Sequence, residues 1–153
     1  VRPEKTYRDL SQSALMRYFA VNAVGPALIA KHFLPLLPKD EPSVFAALSA
    51  RVGSITDNRL GGWYGYRSSK AALNMLIKTL AIELARTRPL AICVGLHPGT
   101  VDTKLSKPFQ KNVGPDRLFS TARAACQLID VLDHLTPAQS GNCFAWDGKQ
   151  IAP

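Results

Sequence analysis

Sulfur and imidazole are scarce: three cysteines, three histidines and two methionines in 153 residues. Cys93, Cys126 and Cys143 are odd in number, far apart and set among apolar neighbours. That excludes a disulfide framework and any metal-ligand spacing, and they read as buried thiols. No apolar run approaches the roughly 20 residues that span a bilayer, because the longest candidate, Phe19 to Leu37, is broken by Asn22, Lys31 and His32. The opening VRPEKTYRDL lacks the apolar region of a signal peptide, so a cytoplasmic location with no membrane partner is expected. Acidic residues are also few, 11 against 19 basic, which leaves a formal charge of +8. The surplus is scattered from Arg2 to Lys149, and its nearest approach to a cluster is Lys104, Lys107 and Lys111. Without a zinc-finger spacing, an RNA-binding sheet motif or a basic helix, this reads as a solvated surface and not a nucleic-acid interface.

What is present suits one globular unit. Hydrophobic residues make up 46% and charged residues 20%, ordinary proportions for a domain that buries roughly 68–70% of its unfolded surface. Residues 11 to 37 read as a long helix. Ser11 is its N-cap, and Leu15, Phe19, Asn22, Pro26, Ile29 and Phe33 recur at three- and four-residue spacing. Pro26 removes a backbone donor and should kink the helix or loosen it locally. SVFAALS, 43 to 49, reads as a strand buried on both faces. A second helix is expected from 63 to 85, apolar on more than one face and so buried all round. AICVGL, 91 to 96, is another buried strand. The Pro- and Gly-containing segment from 97 to 118 reads as a long functional loop. Ser120 caps a third helix to about 135, and GNCFAW is a final short strand. Alternating helices and strands imply right-handed crossovers and a parallel α/β sheet, whose ligands bind at the carboxyl ends of its strands. Those ends are Ser49 with its loop, and His97 to Thr103.

Several residues near those ends could carry chemistry. In YRSSK, Tyr66 and Lys70 are four apart and share one helical face. A neighbouring ammonium stabilises a phenolate, and lowering a phenol near pKa 10 by about three units takes about 4 kcal/mol. Such a tyrosine exchanges a proton with a carbonyl or alcohol oxygen near neutral pH. The same spacing also describes an ordinary surface helix pair. Ser49 ends its strand, where its hydroxyl could bond a reacting carbonyl or simply serve a turn. His97-Pro98-Gly99-Thr100 follows the next strand, with Thr103 shortly after, and a Pro-Gly turn lets backbone approach a flat ligand. His97 is an alternative general acid. Asn22, a polar amide in an apolar stripe, must find partners, either in the core or in a site.

Together VNAVGP, ALSARVGS, YRSSK and HPGT, in this order, resemble the short-chain dehydrogenase/reductase family. The run LGGWYGYRSSKAALNMLIKTLAIELA is most similar to its branch of C-factor-type proteins and sniffer-type carbonyl reductases. The resemblance covers essentially the whole chain. It implies a Rossmann-type doubly wound sheet and an oxidoreductase that transfers hydride between NAD(P)(H) and a carbonyl or alcohol, with NADP favoured over NAD. Tyr66 is implied as general acid/base and Lys70 as the group that lowers its pKa and bonds the nicotinamide ribose. Ser49 would orient the carbonyl, and Asn22 would hold a water linked to Lys70. Pro98, Gly99, Thr100 and Thr103 would border the nicotinamide. It also implies a homodimer or homotetramer through helices 11–37 and 63–85, and a small-molecule substrate under a loop carrying Leu105, Pro108, Phe109 and Val113.

Two departures matter. The family's strand end usually carries a Ser-Ser pair whose second member acts; here the pair is Ser49-Ala50, so Ser49 or Ser54 must take that role, or it is lost. This keeps a catalytically silent binding or signalling protein as the competing expectation. The Gly-rich turn that seats a pyrophosphate on a helix amino end has no counterpart, so the 153 residues read as a single partial domain lacking its front βαβ units. Alone, such a segment is expected to be inactive and, with an apolar strand edge unpaired, poorly stable.

Overall fold

The computed structural model describes residues 3–107, 110 and 113–153. Among the described residues four α-helices, α1 (Gln12–Phe19), α2 (Gly25–Phe33), α3 (Tyr64–Ala85) and α4 (Thr121–Asp133), accompany six strands. The strands are β1 (Ser43–Leu48), β2 (Ala91–His97), β3 (Thr100–Val101), β4 (Leu118–Phe119), β5 (Cys143–Ala145) and β6 (Gln150–Ile151). The main sheet runs β1-β2-β5-β6. Its first three strands are parallel, with Ser43 opposite Ala91 and Gly95 opposite Cys143. The α/β doubly wound architecture expected from the sequence is therefore present.

Local chemistry explains the elements. Ser11 accepts the Ala14 N–H at 3.3 Å and Ser120 accepts the Arg123 N–H at 3.2 Å, each capping the helix it precedes. The expected 11–37 helix is α1, a π-helical turn at Ala20–Val24, α2 and a last 3-10 turn at Leu34–Leu36. At the π turn the Gly25 N–H reaches back to the Ala20 carbonyl. Pro26 lies just beyond with no N–H to give, and the chain accommodates it by widening one turn. The composite helix Gln12–Leu36 is 25 residues long and holds an 18-residue stretch of mean hydropathy 1.3, long and apolar enough to cross a membrane, which the interrupted run had not suggested. Only 11% of that stretch is buried: Ala30 and Leu34 enter the core beside α3, while Val21, Leu28, Ile29 and Phe33 are exposed.

The sheet carries two cores. On one face Ala30, Leu34, Leu73, Ile77 and Leu84 meet Ala91 and Cys93, with Phe45 and Ala47 of β1 against them. On the other, Ile92, Val94, Leu96 and Phe144 pack under Val131 of α4. Truncating a side chain such as Leu73 in such a setting costs roughly 2–5 kcal/mol. β1 forms the edge of the sheet, and α4 does not cover its second face, where Leu48 is 60% exposed.

Some expectations are corrected. α3 buries one stripe, Gly65, Ser69, Lys70, Leu73, Ile77, Ala81 and Leu84, and is not buried all round, because Met75 and Ile82 are 67% and 53% exposed. The 3.6-residue repeat puts them on the outer face. Cys126 is exposed on α4, while Cys93 and Cys143 are buried thiols. The 97–118 loop contains the parallel pair β3–β4, and β5 turns back through β6 in an antiparallel hairpin. Pro108 and Phe109, expected to close over a substrate, lie outside the described residues.

Candidate active site

The carboxyl ends of β1 and β2 place the site, and the amino half of α3 fills it. Lys70 is buried with its Nζ donating to the Leu48 carbonyl at 2.8 Å, at the last residue of β1. Gly53 makes this approach possible: a Cβ there would meet the Lys70 backbone at 2.9 Å. Burial lowers the Lys70 pKa and raises that of Tyr66, as desolvation disfavours both charged forms. The sequence had suggested a phenol depressed by Lys70. In this structure the ammonium is bonded to the β1 carbonyl, and burial dominates the tyrosine.

Two aromatic rings neighbour Tyr66. Tyr18 of α1 is tilted against it with centroids 6.2 Å apart, and Trp63 at 6.4 Å. Asn22, in the π turn, donates from Nδ2 to Ser69 Oγ at 3.0 Å, and Ser69 Oγ donates to the Tyr66 carbonyl at 2.9 Å. The polar break in the helix 11–37 stripe thus tethers α3 at Tyr66. Ser69 went unrecognised in the sequence although it lies three residues after Tyr66, the spacing at which a helical hydroxyl reaches back to a carbonyl.

The serines are engaged elsewhere. Ser49 is buried and its Oγ donates to Asn74 Oδ1 at 2.6 Å. It packs with Cys143 over Gly95, where an added Cβ would meet the Cys143 Sγ at 3.2 Å and the Ser49 Cβ at 3.4 Å. Ser54 Oγ accepts the Asp57 N–H at 3.0 Å and donates to the Pro153 carbonyl at 3.3 Å. Ala50 is buried beside them.

Opposite Lys70, the HPGT turn leaves β2. Gly99 has φ +74°, and a Cβ there would come within 2.6 Å of the Phe119 ring and 3.0 Å of Trp146, so glycine alone fits. Thr100 begins β3, Pro98 is half-buried and Thr103 exposed. The His97 Nδ1 is buried with no hydrogen-bond partner among the described residues. Burial, opposed only by Asp147 and reinforced by Arg51, pushes its pKa down to about 4. Above about 6.5 the ring is neutral both folded and unfolded; below it the unfolded chain takes a proton that the folded ring refuses until about 4. Stability is therefore expected to fall by roughly 3 kcal/mol as pH drops through that window. Urea midpoints at neutral and mildly acidic pH check this, and His97→Phe should remove most of the difference.

One residue was invisible to sequence reasoning. Glu4 is only 5% exposed. Its Oε2 accepts the Gly65 N–H at 3.2 Å and its backbone carbonyl accepts the Trp63 N–H at 2.6 Å. It thereby caps α3, whose own N-cap residue, Trp63, supplies no side-chain bond. Gly65 is what lets Glu4 and Tyr18 in, since a Cβ would lie 2.5 Å from the Tyr18 ring.

The model of the family described as short chain dehydrogenase matches residues 1–114. The chain belongs to this family. It is 33% identical over 144 residues to C-signal of Myxococcus xanthus, spanning 94% of this chain and 81% of that protein. With 1-hydroxy-2-glutathionyl-2-methyl-3-butene dehydrogenase of Rhodococcus sp. (strain AD45) it shares 35% identity over 140 residues, 92% of this chain and 59% of the relative. Among solved structures, the carbonyl reductase Sniffer of D. melanogaster superposes with a TM-score of 0.86 at 28% identity, over 100% of this chain and 62% of that one. NADPH-bound carbonyl reductase from chicken fatty liver gives 0.85 at 27%, again over 100% and 62%. Apart from C-signal, the chain thus spans about 60% of the length of these proteins.

Proposed function

We propose that the protein is an NAD(P)-dependent oxidoreductase that interconverts a carbonyl compound and its alcohol, with Tyr66 as general acid/base. The observation that carries this reading is the placement of Tyr66 and Lys70: four residues apart on α3, at the β1–β2 carboxyl ends, with Lys70 Nζ at the tip of β1. Two observations suit a nicotinamide cofactor: an orphaned His97 Nδ1 beside the Pro98-Gly99 turn and a buried ammonium. Pro98, Gly99, Thr100 and Thr103 would border the nicotinamide and Lys70 would hold its ribose. NADP is favoured by the NADPH-bound relative. The bound cofactor supplies or takes the hydride.

The chain's own residues manage the proton. In reduction Tyr66 Oη donates to the developing alkoxide oxygen; in oxidation it accepts the alcohol proton. Burial keeps the resting phenol protonated. Lys70, turned from the Leu48 carbonyl toward the tyrosine, stabilises the phenolate when the proton has left. Asn22, through Ser69, fixes the backbone that carries Tyr66, and a water held by Asn22 would return protons through Lys70. Ser49 was expected to orient the carbonyl; with its hydroxyl donated to Asn74, it serves instead by holding Asn74 one turn beyond Lys70. Ser49→Ala should therefore destabilise the fold by about 1–3 kcal/mol and lower kcat/KM less than about threefold. A loss of about 10² or more would return the orienting role to Ser49.

The second reading, a silent binding or signalling protein on the same fold, is favoured by one feature: Ala50 stands where the family's acting serine is expected, and both nearby serines are engaged. NADPH consumption by the native protein with simple aldehydes and ketones separates the two, since the silent protein shows none. We further propose a cytoplasmic homo-oligomer formed through helices 11–37 and 63–85, which expose Val21, Leu28, Met75 and Ile82.

A further inference from the structure

Tyr66 lies in the first turn of α3, where a helix is held least by its own hydrogen bonds. The leading N–H groups of a helix have no intrahelical partner, and here they are those of Trp63 to Tyr66. Glu4 takes two of them, the Trp63 N–H through its backbone carbonyl and the Gly65 N–H through Oε2. It does so at a cost. The carboxylate is buried, and its Oε1 has no hydrogen-bond partner among the described residues. A short polar side chain at position 63 would cap the helix from its own turn without that cost. The distant carboxylate therefore does more than close a helix end. The Gly65 amide that it fixes leads directly into Tyr66. The Tyr18 ring rests on the same glycine, since an added Cβ would lie 2.5 Å from its Cδ2 and 2.9 Å from Glu4 Oε1. That ring is also tilted against Tyr66, with centroids 6.2 Å apart. Carboxylate and ring thus share the bare face of Gly65 on the amino side of Tyr66, while Ser69 Oγ holds the Tyr66 carbonyl. Just beyond Glu4 the chain is anchored by Thr6, which caps the short turn Tyr7–Asp9.

We propose that Glu4 is a positioning residue for Tyr66: by its reach to the Gly65 N–H it fixes the first turn of α3 against the Tyr18 ring, so that the Tyr66 hydroxyl meets the substrate oxygen in one orientation. The proposal rests on the reading of Tyr66 as general acid/base. It assigns the effect to the length and bonding of the side chain and not to its charge, because burial is what raises the Tyr66 pKa and Glu4 has no part in it. A misplacement of about 1 Å can cost about a hundredfold in rate even when the altered residue is remote from the chemistry.

Glu4→Gln, Glu4→Asp and Glu4→Ala are assayed in the native protein with NADPH and simple aldehydes and ketones, at a temperature where circular dichroism shows each variant folded. Glutamine keeps the reach and can accept the Gly65 N–H, so its kcat should stay within about twofold of wild type. Aspartate keeps the charge but is one methylene short, and alanine has neither. Both should lose about 10- to 100-fold in kcat, with KM and the NADPH dissociation constant almost unchanged, because Lys70 and the HPGT turn are untouched. Gly65→Ala raises helix propensity yet puts a methyl where Tyr18 and Glu4 Oε1 lie. It should lose kcat in the same way, which a cap that merely stabilises α3 does not predict, and it serves if the shortened variants fail to fold. Contacts between the Tyr18 and Tyr66 ring protons, followed by NMR of ¹³C-labelled tyrosine, need no turnover. They should persist in Glu4→Gln and weaken in Glu4→Asp and Glu4→Ala. An unchanged kcat in the folded Asp and Ala variants overturns the proposal and leaves the oxidoreductase reading intact. So does an equal loss in Glu4→Gln, which moves the effect to the charge, or a rise in KM at constant kcat. No turnover in wild type, with the ring contacts still following the reach of residue 4, removes the oxidoreductase reading and leaves the hold of Glu4 on Tyr66 standing. Ring contacts identical in every variant overturn that hold.

Discussion

Tyr66→Phe lowers kcat of the native protein by about 10²- to 10⁴-fold while cofactor binding persists. The substitution removes one oxygen. The phenyl ring still neighbours Tyr18 and Trp63, and the Ser69 bond to residue 66 is made to a backbone carbonyl that the variant keeps. Melting temperature should barely move, and cofactor titration by fluorescence should give a dissociation constant within about threefold of wild type, a difference under about 1 kcal/mol. What disappears is the only proton donor that the proposed mechanism places at the substrate oxygen. His97 is the competing acid, but burial holds its ring neutral down to a pKa of about 4, so near neutrality it has no imidazolium proton to give. Turnover retained in the Phe variant would move the proton chemistry away from Tyr66 altogether.

Lys70→Met carries the second large effect. Methionine keeps most of the length and apolar stem of a buried lysine, so packing against the Gly53 turn survives, and the change isolates the ammonium. That charge sits in a dry setting, bonded to the Leu48 carbonyl. In such a setting one preorganised donor is typically worth about 10²- to 10³-fold in kcat. We expect a loss of that order in kcat, accompanied by weaker cofactor binding, because the same Nζ is assigned to the ribose. This joint loss distinguishes it from Tyr66→Phe, which spares binding. A Lys70→Met protein with normal cofactor affinity would confine the ammonium to the bond it makes with β1.

Much of the framework was written in local pattern. β1 and β2 were legible as short apolar runs between turn residues, and the caps at Ser11 and Ser120 were legible because a cap bond is made within three residues. Helical periodicity placed Tyr66 and Lys70 on α3 four residues apart, but spacing alone equally described an ordinary surface pair. What escaped was what depends on distant chain. That Ser49 would donate its proton to Asn74, 25 residues on, changes its chemistry, yet neither residue announces the other. Glu4 caps a helix 61 residues downstream, and no local signal marks it. The Pro26 effect was anticipated as a kink or a local loosening, and the π turn is the second of these, both being relaxations of the same missing N–H. The expectation that α3 is buried all round rested on apolar residues on several sides of the helix; in the single chain Met75 and Ile82 are exposed, on the helix expected to meet a second subunit. The Tyr66 pKa was anticipated in the wrong direction for this structure because desolvation cannot be read from spacing.

That last point sets the decisive measurement, the titration of Tyr66 followed by NMR of ¹³Cζ-labelled tyrosine in the native protein with and without NADP⁺, in wild type and in Lys70→Met. The proposed chemistry predicts that without cofactor the phenol titrates above its ordinary range. With cofactor bound and Lys70 present it should fall below that range, and in Lys70→Met the fall should vanish. A Tyr66 that stays high in every sample, or falls equally without the lysine, would contradict the claim that this pair handles the substrate's proton.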